Sequence, residues 1–201
     1  MGLIDEPRPV AATNFRDATA EDWTYVTALG REGILRDAGK AAIALLRGQK
    51  DAPRHGWQVN NYAHSLQCAT RALRDGLDEE YVVCALLHDI GQDVNPYNHD
   101  KLAGDVLRYH VSEENCWVVA NHQIFQLSFR DHSAFDKTAC ERYRGHPYFE
   151  PALLFCERYD MNCFGADYDS LPLETFEPMV HRVFEKGIRA FHAKYPYPPA
   201  R

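Results

Sequence analysis

The 201-residue sequence has no apolar run approaching the roughly 20 residues needed to cross a bilayer, so no membrane is expected as a partner. It has no CxxC pair. Its cysteines, Cys68, Cys84, Cys116, Cys140, Cys156 and Cys163, lie scattered through apolar helical patterns. This spacing argues against a thiolate zinc site and a disulfide scaffold, and reduced thiols are expected. The chain also lacks positive charge in excess. With 29 acidic against 22 basic residues the net charge is −7, which disfavours nucleic acid as a partner. The opening Met1-Gly2-Leu3-Ile4-Asp5-Glu6 has neither the basic start nor the apolar core of a signal peptide, and Gly2 lacks the downstream Ser/Thr of a myristoylation site. A cytoplasmic location is therefore expected. No β-type alternation, internal repeat or second domain is evident.

What is present is helical periodicity over a length suited to one domain. Residues 1–18, with two prolines, read as an extended arm. The helical domain is expected over 19–193, and a Pro-rich tail over 194–201. Thr19 with Asp22 resembles a capping box opening a first helix. Ile34, Leu35, Ala38, Ala42, Leu45 and Leu46 mark a second over Ile34–Arg47, closed by Gly48 and Pro53. A third carries Ala63 to Leu73 and ends at Gly76. Asp78 caps a fourth, Tyr81–Asp89, apolar nearly throughout and so expected to be central. Shorter helices are expected near 99–110 and 112–122, and one leading up to Asp160. The last begins near Phe176, with Pro178 tolerated in its first turn. Residues 123–147 are ambiguous. The expected fold is an all-α bundle.

The chemistry concentrates in six residues. His88 and Asp89 end the most apolar helix, where a carboxylate is costly unless a cation or several donors compensate. His64 lies in the helix before, His99 ten residues after Asp89, His122 at the end of Val118-Val119-Ala120-Asn121, and Asp160 at the end of another apolar helix. One core histidine is ordinary; four with two aspartates are hard to accommodate without metal. Imidazole and carboxylate ligands suit iron, manganese, cobalt or zinc. Six ligands exceed what one catalytic ion takes with a position left open. Two ions bridged by Asp89 use them naturally: His64, His88, Asp89 and Asp160 around one, Asp89, His99 and His122 around the other. Cys68 and Cys84 share helix faces with His64 and His88, and read as small core residues. His55, His110, His132, His146, His181 and His192 read mostly as surface or loop residues. Trp57, Phe125, Phe129, Phe135 and Phe149 can line a pocket or an interface, with core packing their default role.

The order His64, His88-Asp89, His99, His122, Asp160 resembles the HD-domain superfamily, named for that dipeptide. Ala63-His64-Ser65-Leu66-Gln67-Cys68-Ala69, followed by Ala85-Leu86-Leu87-His88-Asp89-Ile90-Gly91, resembles its diiron branch. That branch includes 2-amino-1-hydroxyethylphosphonate dioxygenase and, more distantly, myo-inositol oxygenase. Residues His99 to Leu107 are similar to the third-ligand segment of the phosphonate enzymes. The likeness covers residues 57–165, and it extends through Asp160 and Pro172–Val180 to uncharacterised bacterial HD proteins. The substrate shell departs from the pattern. Arg54 and Trp57 stand where the phosphonate enzymes carry a Tyr and a Glu. Gln126 replaces a phosphonate-binding Lys, and Arg158 lies one position nearer the last Asp than its counterpart.

The resemblance implies a mixed-valent Fe(II)/Fe(III) oxygenase that uses O2 to cleave a C–C or C–X bond in a small polar hydroxylated or aminated molecule. The alternative is a metal-dependent phosphohydrolase of a phosphate ester or nucleotide. Gln92, where many HD hydrolases place a Lys, disfavours that alternative. A non-catalytic binding module would leave the six ligands without purpose. Asp89 and Lys101 are the expected catalytic residues, with Lys101 supplying a cation. Gln126 and Arg158, close in sequence to ligands, are expected at the open side of the metal pair, binding a small polar, anionic substrate.

Overall fold

A computed structural model describes residues 8–195. Most of the expected Pro-rich tail and the first seven residues of the arm lie outside the described residues. Every regular element among them is helical, and no strand occurs, as the periodicity required.

The first helix, α1 (Ala20–Arg36), opens on the expected capping box: Asp22 N–H donates to the Thr19 hydroxyl, and the Asp22 carboxylate accepts from Thr19 N–H. It contributes no buried residue and lies against the last helix, α8 (Leu173–Lys194). The expected helix over Ile34–Arg47 is in fact two pieces. Ile34 and Leu35 end α1, and α2 (Lys40–Gly48) starts afresh after Gly39. Gly39 has φ 78°, and a Cβ there would meet Val180 Cγ1 of α8 at 2.9 Å. The corner needs glycine for both conformation and space.

Helix α3 (Asn61–Arg74), capped by the Asn60 side chain, packs along α4 (Glu79–Leu87), capped by Asp78. The turn between them runs through Gly76 at φ 78°. Next come α5 (His99–Leu107) and α6 (Glu113–Gln126), which pack together, with α7 (Phe149–Phe155) against α6. Residues 123–147 resolve into the end of α6 and two short 3₁₀ turns, Leu127–Phe129 and Ala139–Tyr143. Beyond α7 the chain widens into a π turn, Cys156–Asp160, closed by Met161 N–H donating to Cys156 C=O at 3.0 Å.

Helix α4 is the axis of the bundle. Val82, Val83, Ala85, Leu86 and Leu87 are fully enclosed by α3, α6 and α8. Phe125, Phe155 and Phe176 are the largest buried side chains around it. Each such aromatic contributes on the order of 3 kcal/mol of burial. Phe125 and Phe149 pack in the core, whereas Phe135 stays exposed. Among the described residues no helix is long and apolar enough to cross a membrane.

Candidate metal centre

The six expected ligands come from five segments and converge on one point of the core. Local sequence explains how. Helix α4 ends at His88, and the chain turns at Asp89-Ile90-Gly91. Buried Gln49, just past α2, donates from Nε2 to Asp89 C=O at 2.8 Å and pins the corner. A Cβ on Gly91 would meet His99 C=O at 2.9 Å and His99 Cα at 3.0 Å. Glycine is what lets α5 begin against the corner and brings His99 to Asp89.

All four imidazoles are held the same way. The Nδ1 atoms of His64, His88, His99 and His122 lie 3.1, 2.9, 3.0 and 2.8 Å from the carbonyls of Cys163, Ala85, Pro96 and Val119. Each Nδ1 donates a hydrogen, which leaves a lone pair on each Nε2 in the neutral ring. Those Nε2 atoms point at one another: His64 to His88 at 3.2 Å, and His99 to His122 at 3.1 Å. Two facing lone pairs at that distance repel, and no hydrogen is available to bridge them. The arrangement is satisfied by a cation, either a metal ion or added protons.

Asp89 stands between the two pairs. Its Oδ1 is 3.1 Å from both His99 Nε2 and His122 Nε2, and its Oδ2 is 3.7 Å from both His64 Nε2 and His88 Nε2. Asp160 Oδ1 lies 3.4 Å from His64 Nε2 and 3.7 Å from His88 Nε2. It is buried and receives no hydrogen bond. An anionic oxygen in that state is costly without a cation, so the residues fit a metal.

The electrostatics agree. Burial alone opposes charging His88, but Asp89 and Asp160 outweigh it and hold its pKa up at about 9. Burial likewise pushes the Asp89 and Asp160 carboxyls up, yet the surrounding imidazoles hold both well below the usual range. Two carboxylates thus collect positive charge at the imidazoles, and metal and protons compete for the same Nε2 atoms. Buried histidine, aspartate and cysteine groups here can bind metal ions. Cys68 Sγ is 3.7 Å from His64 Nε2, but it also donates to Tyr159 C=O at 3.6 Å, and burial pushes its thiol well up. Cys68 is buried, as its sequence context indicated, and with His64 and His88 it forms a group whose donor atoms lie close enough to share an ion, as His88, Asp89 and His122 do.

A cavity of about 450 Å³ opens onto Asp89, His99 and Asp160. One wall is aromatic. Phe164 stacks on His64 at 4.5 Å between ring centres, and Trp57 lies against Phe164 at 4.6 Å. Phe129 also lines it, so Trp57 and Phe129 belong to the pocket. Gln126 is at the cavity and donates from Nε2 to Asp160 Oδ2, while its Oε1 accepts from Arg130 at 2.7 Å. Arg130 thereby fixes which way the Gln126 amide faces.

Two expected site residues lie elsewhere. Lys101 does not line the cavity. Its ammonium donates to Ala120 C=O and to Asn121 Oδ1 at 3.0 Å, clamping α5 to α6. Arg158 does not line it either. Its guanidinium pairs with Asp75 at 3.3 Å on the outer side of the π turn, beside Arg71 and Tyr168. Both expectations are corrected on the same ground. Lys101 is two residues past His99, and Arg158 two before Asp160. In a helix that spacing sends side chains to opposite faces. Gln126, four residues after His122, shares its face and does reach the centre.

Arg54, Asn61 and Arg130 also line the cavity. Arg130 follows the 3₁₀ turn after α6 in extended backbone, so no helical phase from His122 marks it. Arg54 and Asn61 precede and open α3, with no periodicity to mark them. A scan against protein-family models finds no match for the chain, and a search of curated proteins finds no significant one.

Proposed function

We propose that the protein is a dinuclear-metal enzyme of the HD-domain type. In this reading it is an Fe(II)/Fe(III) oxygenase that cleaves a C–C or C–X bond in a small polar hydroxylated or aminated substrate. The observation that carries the reading is the position of Asp89, whose two oxygens face two separate imidazole pairs. His64, His88 and Asp160 with Asp89 Oδ2 would hold one ion, and His99 and His122 with Asp89 Oδ1 the other. The second set has fewer protein ligands and adjoins the cavity, which suits exchange with substrate. An iron pair, when bound, supplies the redox chemistry for O2.

The protein's own part is placement. The Nδ1–carbonyl bonds fix all four rings before any ligand arrives, so little reorganisation is required on binding. Gln126 holds Asp160 Oδ2, leaving Oδ1 for the centre. The Trp57–Phe164–His64 stack gives one side of the chamber an aromatic wall.

A phosphohydrolase is the second reading, supported by Arg54 and Arg130 at the cavity. The oxygenase is preferred because, among the described residues, no lysine lines the chamber and Gln92 is at its wall. Metal analysis with low-temperature electron paramagnetic resonance separates the two. A coupled Fe(II)/Fe(III) signal is expected. Zinc, cobalt or manganese in the purified protein together with phosphatase turnover overturns the oxygenase reading.

A further inference from the structure

The outer part of the cavity carries a charge that the metal centre does not use. Among the described residues, the only carboxylates lining the chamber are Asp89 and Asp160, both turned to the imidazoles. Outside them it presents Arg54 and Arg130 and the amides of Asn61, Gln92 and Gln123, with no acid. This is a local excess of positive charge in a chain of net charge −7.

Arg54 is one of two described arginines, with exposed Arg16, whose guanidinium has no partner, and it is the one of the two that stands at the chamber. Arg47, Arg74, Arg158 and Arg182 each hold a carboxylate from another part of the fold. Arg130 is committed to Gln126 and lies over the Phe135 ring at 5.1 Å. The Arg54 guanidinium makes no hydrogen bond, ion pair or ring contact among the described residues, although 29 acidic residues compete for partners. It is exposed at the chamber on the loop before α3. The next residue, His55, has φ 49°, a left-handed conformation unusual for a non-glycine residue. Deeper in, Asn61 lines the same cavity, and its Nδ2 is buried and has no acceptor.

We infer that Arg54 is the anion anchor of the chamber, and that the substrate is a small hydroxylated anion. Its carboxylate or phosphoryl group lies on the Arg54 guanidinium, and its polar end points inward past Asn61 Nδ2 toward the Asp89 side. This rests on the reading of the chamber as the substrate site of the metal pair. A planar guanidinium offers two parallel N–H donors, a match for either anion, and a cavity of this volume accepts a molecule of metabolite size. The anion contact thus passes from Arg158, which the fold turns outward, to a residue of the loop before α3.

The test is calorimetric titration of the full chain, with manganese and without metal, using glycerol 3-phosphate, glycerate and glycerol. The three share vicinal hydroxyls and differ in their charged end. At least one anion is expected to bind about ten-fold or more tightly than glycerol, and the better anion tells phosphoryl from carboxylate. R54Q should lose that preference and R54K should keep part of it. R16Q, which alters an exposed arginine outside the cavity, should keep all of it. Equal binding of the three probes, binding of none, an R54Q that keeps the preference, or an R16Q that also loses it overturns the proposal. Manganese content is measured on the same preparations. A protein that takes up no metal refutes the dinuclear reading, and the anchor is then judged from the metal-free titrations.

Discussion

Gly104→Ala tests how closely the second half of the metal centre depends on helix packing. Gly104 is buried in α5, facing α6. A Cβ there would lie 2.6 Å from Ala120 Cβ and 3.0 Å from Ala120 Cα. Both atoms are close to backbone, so no flexible side chain can swing away. Restoring an ordinary 3.4 Å contact requires α5 and α6 to part by about 0.8 Å. Overpacking of this kind costs up to about 3 kcal/mol, offset by about 1 kcal/mol from the better helix propensity of alanine. A net loss of about 2 kcal/mol lowers Tm by roughly 4–8 °C in a chain of this size. The same displacement acts on the centre. His99 is on α5 and His122 on α6, with their Nε2 atoms 3.1 Å apart, while His64, His88 and Asp160 lie on other elements. On the proposed dinuclear reading, metal content by plasma mass spectrometry should therefore fall from two per chain toward one, with the remaining ion on the α3–α4 side. Two full equivalents together with an unchanged or raised Tm would refute the reasoning.

Gly30→Ala is the counterpart. Gly30 lies inside α1, and an added methyl group would have nothing within 4 Å, so the substitution should stabilise by up to about 1 kcal/mol in thermal melts and leave metal content alone. Asp89→Asn keeps the shape but removes the bridging charge, and metal titration should show both ions weakened by at least about 100-fold. Glu80 accepts from Ser112 N–H at 2.6 Å and Asn115 Nδ2 at 2.8 Å; burial raises its carboxyl, but those donors win and hold it below the usual value. Its stabilisation is therefore complete above the unfolded carboxyl pKa and is lost as pH falls through the lowered folded value. Glu80→Gln should cost about 1 kcal/mol at pH 7, allowing for its partial exposure, and chemical denaturation should show the gap from wild type closing below about pH 4.

The helices and the His/Asp cluster were legible because each rests on a local signal. Thr19 and Asp78 announce helix starts, and the apolar run before His88 marks the central helix. The histidines and aspartates that meet in space were recognisable as polar residues in apolar settings. Direction was harder to read than proximity. Lys101 and Arg158 are near ligands in sequence, yet an interval of two turns each away from the centre. The break at Gly39 was hidden because the apolar pattern of Ile34 to Leu46 continues across it. What demands that break is the closeness of Val180, on the last helix of the chain, which no local pattern reveals. Arg54 was marked only by the family resemblance, as a departure in the substrate shell, and that gave it no role, since a loop arginine is ordinary until the cavity around it is known.

The π turn at Cys156–Asp160 bears on how this centre tolerates change. Such a turn is an α-helix with one residue too many, the trace that a single-residue insertion leaves in a regular coil. The wide turn absorbs that residue, so the chain beyond it keeps the phase of an uninterrupted coil. Deleting one residue between Phe155 and Asp160 would tighten the turn and leave the carboxylate on the side of the imidazoles, whereas a second insertion, with no further bulge to absorb it, would turn Asp160 away by about 100°. For this segment, tolerance to a change of length is lopsided: there is slack for one residue fewer and none for one more.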